Sequence, residues 1–380
     1  EDKASRLADK LVPYTLGGTA LTYLLTRNVT KMLAVLMVDF SCALKLSMPI
    51  AVLSAMRESS AHHISVKGGR FMEAVANADT IVFDKTGTLT YATPRVAMIE
   101  TFGDREESEM LRLAACLEEH YPHSMANAVV AEAKDRGLSH EEYHSRVEYV
   151  VAHGISSMVE GKKVLIGSAH FVFEDEGCTI PEGEQEKFDS LPAQYSHLYL
   201  CIAGELAAVI CIYDPLRAEA KDAIRALHAC GISKVVMMTG DNRRTAASVA
   251  EEVGVDEFYA EVLPEDKAAF IRREKAAGRT VIMIGDGVND SPALSEADAG
   301  VAISTGAAIA REIADITIAS EDLFELVTLR KISEALMGRI HRNYRFIVGF
   351  NLGLIVFGVA GLLPPTTSAL LHNASTLAIS

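Results

Sequence analysis

The chain is 380 residues long, 49% hydrophobic, and carries a formal net charge of −15 with a mean hydropathy of +0.17. It is more apolar than an ordinary soluble domain and yet acidic, a combination explained by membrane segments joined to cytosolic parts, and its length allows two or three domains with real cores. The acidity, with no block of Lys or Arg to track a phosphate backbone, excludes nucleic acid as a partner, and six cysteines at 42, 116, 178, 201, 211 and 230 with no Cys-x-x-Cys pair suggest reduced thiols in a cytosolic setting.

Glu1-Asp2-Lys3 has no Met, basic n-region or cleavage site, so it is no signal peptide, and the chain is expected to be cut from something longer. Residues 11–26 are apolar without charge between Lys10 and Arg27, and residues 32–56 form a second long stretch interrupted by Asp39, Lys45 and Pro49. Both approach the roughly 20 residues a spanning helix needs, the first only marginally. Near the other end, residues 344–363 follow the basic cluster Arg339, His341, Arg342 and Arg345, and a fourth apolar stretch begins around Ser368. Basic flanks predict that end to be cytoplasmic. The alternative for all four stretches is buried core helices.

Between these stretches, Thr80-Ile81-Val82-Phe83 reads as a buried parallel strand that ends in Asp84-Lys85-Thr86-Gly87-Thr88-Leu89-Thr90. Gly87 frees the turn to fold its N–H groups toward an anion at the carboxyl end of the strand, where open α/β sheets bind ligands. Beside a divalent cation and a lysine, the Asp84 carboxylate can displace nucleotide diphosphate and form an acyl phosphate. Three further segments carry polar residues near apolar stretches: Met237-Met238-Thr239-Gly240-Asp241-Asn242, Leu263-Pro264-Glu265-Asp266-Lys267, and Met283-Ile284-Gly285-Asp286-Gly287-Val288-Asn289-Asp290. Phosphoryl transfer needs a hydroxyl, a fixed cation and a metal, and Thr239, Lys267 and Asp286 supply them. Asp286 with Asp84 and a backbone carbonyl near Thr86 gives the hard oxygen ligands magnesium prefers, while Asn289 and Asp290 are candidates to hold the phosphate and metal-bound waters.

These four segments in this order resemble a P-type ATPase, whose catalytic domain belongs to the haloacid-dehalogenase-like superfamily; the resemblance covers essentially the whole chain. It implies a Rossmannoid α/β phosphorylation domain, ATP and Mg2+ as cofactors, and Asp84, Lys85, Thr86, Thr239, Gly240, Asp241, Lys267, Asn289 and Asp290 as catalytic residues. Hydrolases of the superfamily place a second aspartate two positions after the nucleophile, and here that position is Thr86, which cannot shuttle the proton; the phosphoenzyme is therefore expected to be long-lived. Glu118, His123, Gly154 and Gly167 resemble the adenosine-binding set of the heavy-metal branch, with two departures: His123-Ser124 stands for the usual His-Pro, and Ala152 for the first glycine of Gly-x-Gly. His120 is an alternative to His123. Asp214-Pro215-Leu216-Arg217 matches the family's hinge, or is simply a strand terminator.

The segment from Asp39 to Pro49 aligns with the intramembrane Cys-Pro-Cys of heavy-metal pumps, but Phe40 and Ser41 replace the first Cys and the Pro, leaving Cys42 alone. Asp39 and Lys45 are functional candidates because ionisable groups in a membrane are costly, unless they snorkel or pair with each other. His372-Asn373-Ala374-Ser375-Thr376 resembles a final-helix segment that contributes ion ligands in some subgroups, and Asn343, Tyr344 and Asn351 resemble the Tyr-Asn motifs of the helix before it. A site of Cys42, Asp39 and His372 would suit a borderline divalent ion such as zinc or manganese better than Cu(I). No Thr-Gly-Glu segment occurs, so the actuator domain of such a pump is expected to lie outside this chain.

The resulting expectation is α/β plus membrane helices. Two transmembrane helices occupy 1–60, a stalk and the first part of the phosphorylation domain 61–91, and an inserted α+β nucleotide-binding domain 92–205. The second part of the phosphorylation domain follows at 206–325, a stalk at 326–343, and a transmembrane helix with the start of another at 344–380. The expected function is ATP-driven export of a transition-metal cation through an aspartyl phosphate, in a multi-pass protein of the cell membrane with cytoplasmic catalytic domains. Expected partners are ATP, the cation and the lipid membrane. The alternatives are a pump for another cation and a soluble haloacid-dehalogenase-like phosphatase; the latter would need an aspartate at position 86 and no membrane helices.

Overall fold

The computed structural model describes residues 2–38, 40–91, 93–119, 124–138, 144–150, 154–286, 290–303, 312–320 and 322–379. The chain divides into two compact units, Asn77–Val327 and a unit made of Glu1–Ala76 with Thr328–Ser380.

The helical unit contains α1 (Asp2–Thr26), α2 (Val29–Leu36), α3 (Phe40–Ala61) and α4 (Gly69–Asn77), with β1 (Ile64–Val66) between the last two. The apolar run at 32–56 is two helices rather than one: the last turn of α2 tightens, with Val38 N–H reaching back only to the Val35 carbonyl at 3.3 Å, and α3 starts afresh at Phe40. Asn28 starts α2 by accepting the Thr30 and Lys31 N–H groups on its side-chain oxygen at 2.9 and 3.3 Å. Ala43 and Leu44 of α3 pack with Ile347, and Ala51 and Ala55 with Met72, Ile332 and Leu336. Among the described residues no helix is long and apolar enough to cross a membrane.

In Asn77–Val327 the first sheet is parallel, because each of its strands is fed by a crossover. It contains β2 (Thr80–Asp84), β9 (Lys234–Met238), β10 (Glu257–Tyr259), β11 (Val281–Gly285), β12 (Ala299–Ile303) and β13 (Ile316–Ile318). Their spatial order is β10-β9-β2-β11-β12-β13, so the chain builds outward from β2 to one side and then returns to build on the other. That reversal puts a crevice at the carboxyl ends of β2 and β11, the place where such sheets bind ligands. β2, with all five residues buried, pairs in register with both neighbours: Phe83 opposite Met237, and Phe83 opposite Ile284.

The second sheet is antiparallel and is inserted between β2 and β9 in the chain. Its strands are β3 (Arg95–Thr101), β4 (His144–Val150), β5 (Gly154–Val159), β6 (Lys162–Gly167), β7 (Ser196–Ile202) and β8 (Glu205–Tyr213), ordered β3-β8-β7-β6-β5-β4. Helices α5 (Glu107–Glu118) and α6 (Ser124–Asp135) cover one face through Leu111, Ala115 and Val129, while Phe102, Phe171 and Tyr199 fill a second core with Cys178, Cys201 and Cys211. Five of the six cysteines are free thiols in the described residues.

The remaining elements are α7 (Gln185–Asp189), α8 (Ala220–Ala229), α9 (Arg243–Val253), α10 (Pro264–Ala276), α11 (Ser291–Glu296), α12 (Phe324–Val359) and α13 (Pro365–Ile379).

Candidate active site

Asp84 is the last residue of β2, 8% exposed, and the turn after it closes through the Thr90 N–H on the Lys85 carbonyl at 3.3 Å and the Gly87 N–H on Thr90 Oγ1 at 2.9 Å. Gly87 holds φ at 75°, a left-handed conformation that costs a residue with a Cβ but not glycine. The segment expected to be a hinge clasps this turn. Thr90 bridges Leu216, the Tyr91 N–H donates to Pro215, the Arg217 N–H donates to Leu89 at 2.9 Å, and Arg217 Nε donates to the Thr88 carbonyl at 2.8 Å. No local sequence pattern specifies that contact, since the two segments are separated in the chain by the whole inserted sheet.

The polar residues of the separate segments converge on the strand end. Lys267, on the first turn of α10, donates from Nζ to Asp84 Oδ1 at 2.6 Å and to Asp290 Oδ1 at 2.7 Å. Lys85 Nζ lies 2.5 Å from Asp241 Oδ2, and Thr239 Oγ1 donates to that same oxygen at 2.9 Å. Thr239 and Asp241 follow β9, which pairs with β2, and Asp286 follows β11, which pairs with it on the other side. Thr86 is half-buried and Gly240 exposed at the rim. Asn289 lies outside the described residues.

Burial pushes the Asp84 carboxyl up to about 6, with Lys267 pulling against it and Asp290 adding to it. Burial likewise raises Asp290. Burial works to lower Lys267, but the two carboxylates outweigh it and raise the ammonium above its ordinary value. Burial would raise Asp241 as well, yet Lys85 beside it wins and lowers it. The pocket is thus two cations and several carboxylates removed from water, a site that favours an incoming group able to share that charge.

The residues fit magnesium. Asp84 and Asp286 stand at the ends of adjacent strands, all the donors are hard oxygens, and buried Asp290 Oδ2 has no hydrogen-bond partner among the described residues. The residues expected to hold adenosine are partly brought together. Gly154 and Gly167 face each other across β5 and β6, and Glu118 is buried at the end of α5. His123 and His120 lie outside the described residues.

In the helical unit, His372 of α13 is 3% exposed and its Nδ1 lies 3.0 Å from Asn351 Oδ1 of α12. Lys45 Nζ lies 3.8 Å from Asp9 Oδ1, both largely exposed. Asp39 and the side chain of Cys42 lie outside the described residues.

Residues 78–298 match the family model for haloacid dehalogenase-like hydrolases. The chain is 35% identical over 373 residues to a manganese-exporting P-type ATPase of Mycobacterium tuberculosis, a match over 97% of this chain and 52% of that protein. The crystal structure of a zinc-transporting PIB-type ATPase in the E2.Pi state is 29% identical with a TM-score of 0.68, covering 97% of this chain and 61% of that one. The catalytic domain of the CPx-ATPase CopB-B, in a study of its conformational changes upon nucleotide binding, is 29% identical with a TM-score of 0.59, covering 73% of this chain and 98% of that one. The chain spans about half the length of the curated relatives it matches.

Proposed function

The chain belongs to the haloacid dehalogenase-like hydrolase family, and from that premise we propose that it is the catalytic and adjoining membrane part of a heavy-metal P-type ATPase, which exports a transition-metal cation through an aspartyl phosphate on Asp84. The observation that carries this reading is the strand-end cluster, in which Lys267 bonds both Asp84 and Asp290 while Lys85 pairs with Asp241.

With Lys267 on Oδ1, the Oδ2 oxygen of Asp84 attacks the γ-phosphorus of ATP. The bond from that phosphorus to the β–γ bridging oxygen breaks, ADP leaves with the electron pair, and an acyl phosphate remains on Asp84. Lys267 and Lys85 neutralise the equatorial oxygens, and Thr239 donates to them from its hydroxyl. Magnesium, when held by Asp84, Asp286 and the Thr86 carbonyl, supplies further neutralisation of the transferring group. Thr86 offers no base for hydrolysis, so the acyl phosphate persists long enough to serve a conformational cycle. The inserted antiparallel sheet is the nucleotide-binding domain in this reading, with Glu118, His123, Gly154 and Gly167 toward adenosine. Because β8 (Glu205–Tyr213) belongs to the inserted sheet, the boundary expected at 205/206 moves past Tyr213, and the other boundaries expected from the sequence are kept in this reading.

The membrane setting is supported by exposure. Among the described residues, all of the exposed large apolar side chains except Tyr91, Met158 and Phe324 fall in the helical unit, including Leu24, Leu25, Leu53, Leu362, Leu370 and Leu377. Cys42, Asp39 and His372 are proposed as ligands of the transported ion, and a mixed set of that kind suits zinc or manganese.

The test is acid-stable labelling from γ-labelled ATP in magnesium. Asp84→Asn abolishes the label in this reading, and a label that survives in that variant sinks it. Metal-stimulated ATPase activity of the intact pump in vesicles, measured across zinc, manganese, cobalt, cadmium and copper, identifies the cation.

A further inference from the structure

We propose that Ser196 is a positioning residue for phosphoryl transfer, holding the Lys85–Asp241 ion pair beside Asp84 from the inserted antiparallel sheet; this rests on the reading of Asp84 as the phosphorylated residue. Ser196 belongs to none of the segments that carry the family resemblance. It is the first residue of β7, 4% exposed, and 111 residues distant in the chain from Lys85.

Lys85 Nζ donates to Ser196 Oγ at 3.0 Å, and the Ser196 hydroxyl is among the groups that favour the charged form of Asp241. A hydroxyl has one proton to give and two lone pairs to receive, so while it accepts from the ammonium it keeps a proton to offer the carboxylate. Ser196 therefore bridges an ion pair that is 2.5 Å across and almost sealed from water. Without it the lysine, a point charge on a flexible four-carbon stem, would keep Asp241 as its direct partner, with Asp214 and Asp84 acting on it only through their charge.

The segment around Ser196 is itself anchored to the corner that carries Asp241. Thr245 Oγ1 donates to the Tyr195 carbonyl at 2.9 Å, Arg244 Nη1 donates to the Asp189 carbonyl at 2.6 Å, and Asn242 Nδ2 lies 3.4 Å from His197 Nδ1. On the other side, Ser196 is held in the sheet by its register with Ile212 of β8. The hydroxyl is thus presented from a rigid strand to two residues of the parallel sheet's active end. Alanine at this position changes the volume little, so what it removes is the bridge.

The experiment is single-turnover labelling of the 380-residue chain from γ-labelled ATP in magnesium, with the rate constant followed against ATP concentration. Ser196→Ala lowers the rate constant at saturating ATP about tenfold, the loss expected for one hydrogen bond to a charged group, and leaves the half-saturating ATP concentration unchanged. Ser196→Thr, which keeps the hydroxyl, restores the rate. An unchanged rate in Ser196→Ala, a change in half-saturation alone, or a threonine variant as slow as the alanine one overturns the proposal. If the melting curve of Ser196→Ala shows no folded state, Ser196→Cys, similar in size and a poor hydrogen bonder, is read the same way. Failure of the unsubstituted chain to label, or labelling of Asp84→Asn, instead overturns the phosphorylation reading beneath it.

Discussion

In Asn77–Val327 the charged groups are drawn inward to one strand end while large apolar side chains are covered. In the helical unit a small polar pair, His372 with Asn351, lies inside and large apolar side chains face outward. The first arrangement suits water as the outer solvent, because buried charges such as Lys267 with Asp84 and Asp290 are tolerable only when mutually satisfied. In the proposed function the second suits an apolar surround, which side chains such as Leu25, 75% exposed, and Leu377, 73% exposed, would meet. In the proposed function, the difference teaches that polar groups are kept inside both units for different reasons: chemistry at the phosphate in one and ion coordination in the other.

The sharpest way to break this contrast is to remove the cation that makes the catalytic charges tolerable. Lys267→Ala is expected to slow labelling from ATP on the order of 100–1,000-fold and to destabilise the folded chain by about 3 kcal/mol, because Asp84 and Asp290 lose their shared partner. Quench-flow labelling and thermal melting measure the two effects, and a normal rate would mean that Lys267 is only structural.

The corresponding test in the helical unit is His372→Ala in the intact pump. Metal affinity, read from metal-stimulated phosphorylation by ATP, should weaken roughly 10–100-fold, while phosphorylation from inorganic phosphate is retained. Loss of both together would dissolve the division of labour between the units.

Titration sharpens the comparison from the catalytic side. In the proposed function only the carboxylate form of Asp84 is a nucleophile, and burial has raised that group from an ordinary aspartate value to about 6. The second-order rate constant for labelling should therefore fall about tenfold per unit as pH drops below about 6, well above the pH at which an exposed aspartate would protonate. A rate that is flat down to pH 4.5 would contradict the burial argument.

The smallest effect concerns packing in the inserted sheet. A Cβ on Gly154 would lie 2.5 Å from the Ile166 carbonyl oxygen and from the Phe171 ring. Gly154→Ala should thus cost about 1–3 kcal/mol of stability, seen as a lower melting temperature. An unchanged melting temperature would show that the strand pair has room to spare.

The parts of the catalytic site readable from the sequence are those whose geometry is local. An unbroken apolar run ending in Asp84, a glycine at the turn and a carboxylate or hydroxyl just after an apolar stretch are each set by a few neighbouring residues, and the run of such segments carries its own order. What lay beyond reading is what depends on partners far along the chain. That Lys267 bonds both Asp84 and Asp290, that the Asp214–Arg217 segment clasps the turn after Asp84, and that Gly154 lies opposite Gly167 all follow from strand order and register, which no local pattern specifies. The break between α2 and α3 was hidden for a related reason: Asp39, Lys45 and Pro49 all interrupt residues 32–56, and hydropathy does not record at which of them a backbone stops its hydrogen-bond ladder.

By itself, then, the sequence determined which strand ends carry clustered polar and charged residues, because strand propensity, turn conformation and charge are properties of short segments. Only the tertiary structure decided which of those ends meet. The order β10-β9-β2-β11-β12-β13 sets the segments of β9 and β11 on either side of Asp84, and the docking of β7 brings in Ser196, a residue with no signature of its own. The physical reason is that contacts between distant segments are chosen by the burial of whole faces, a quantity summed over the fold rather than written at any one position.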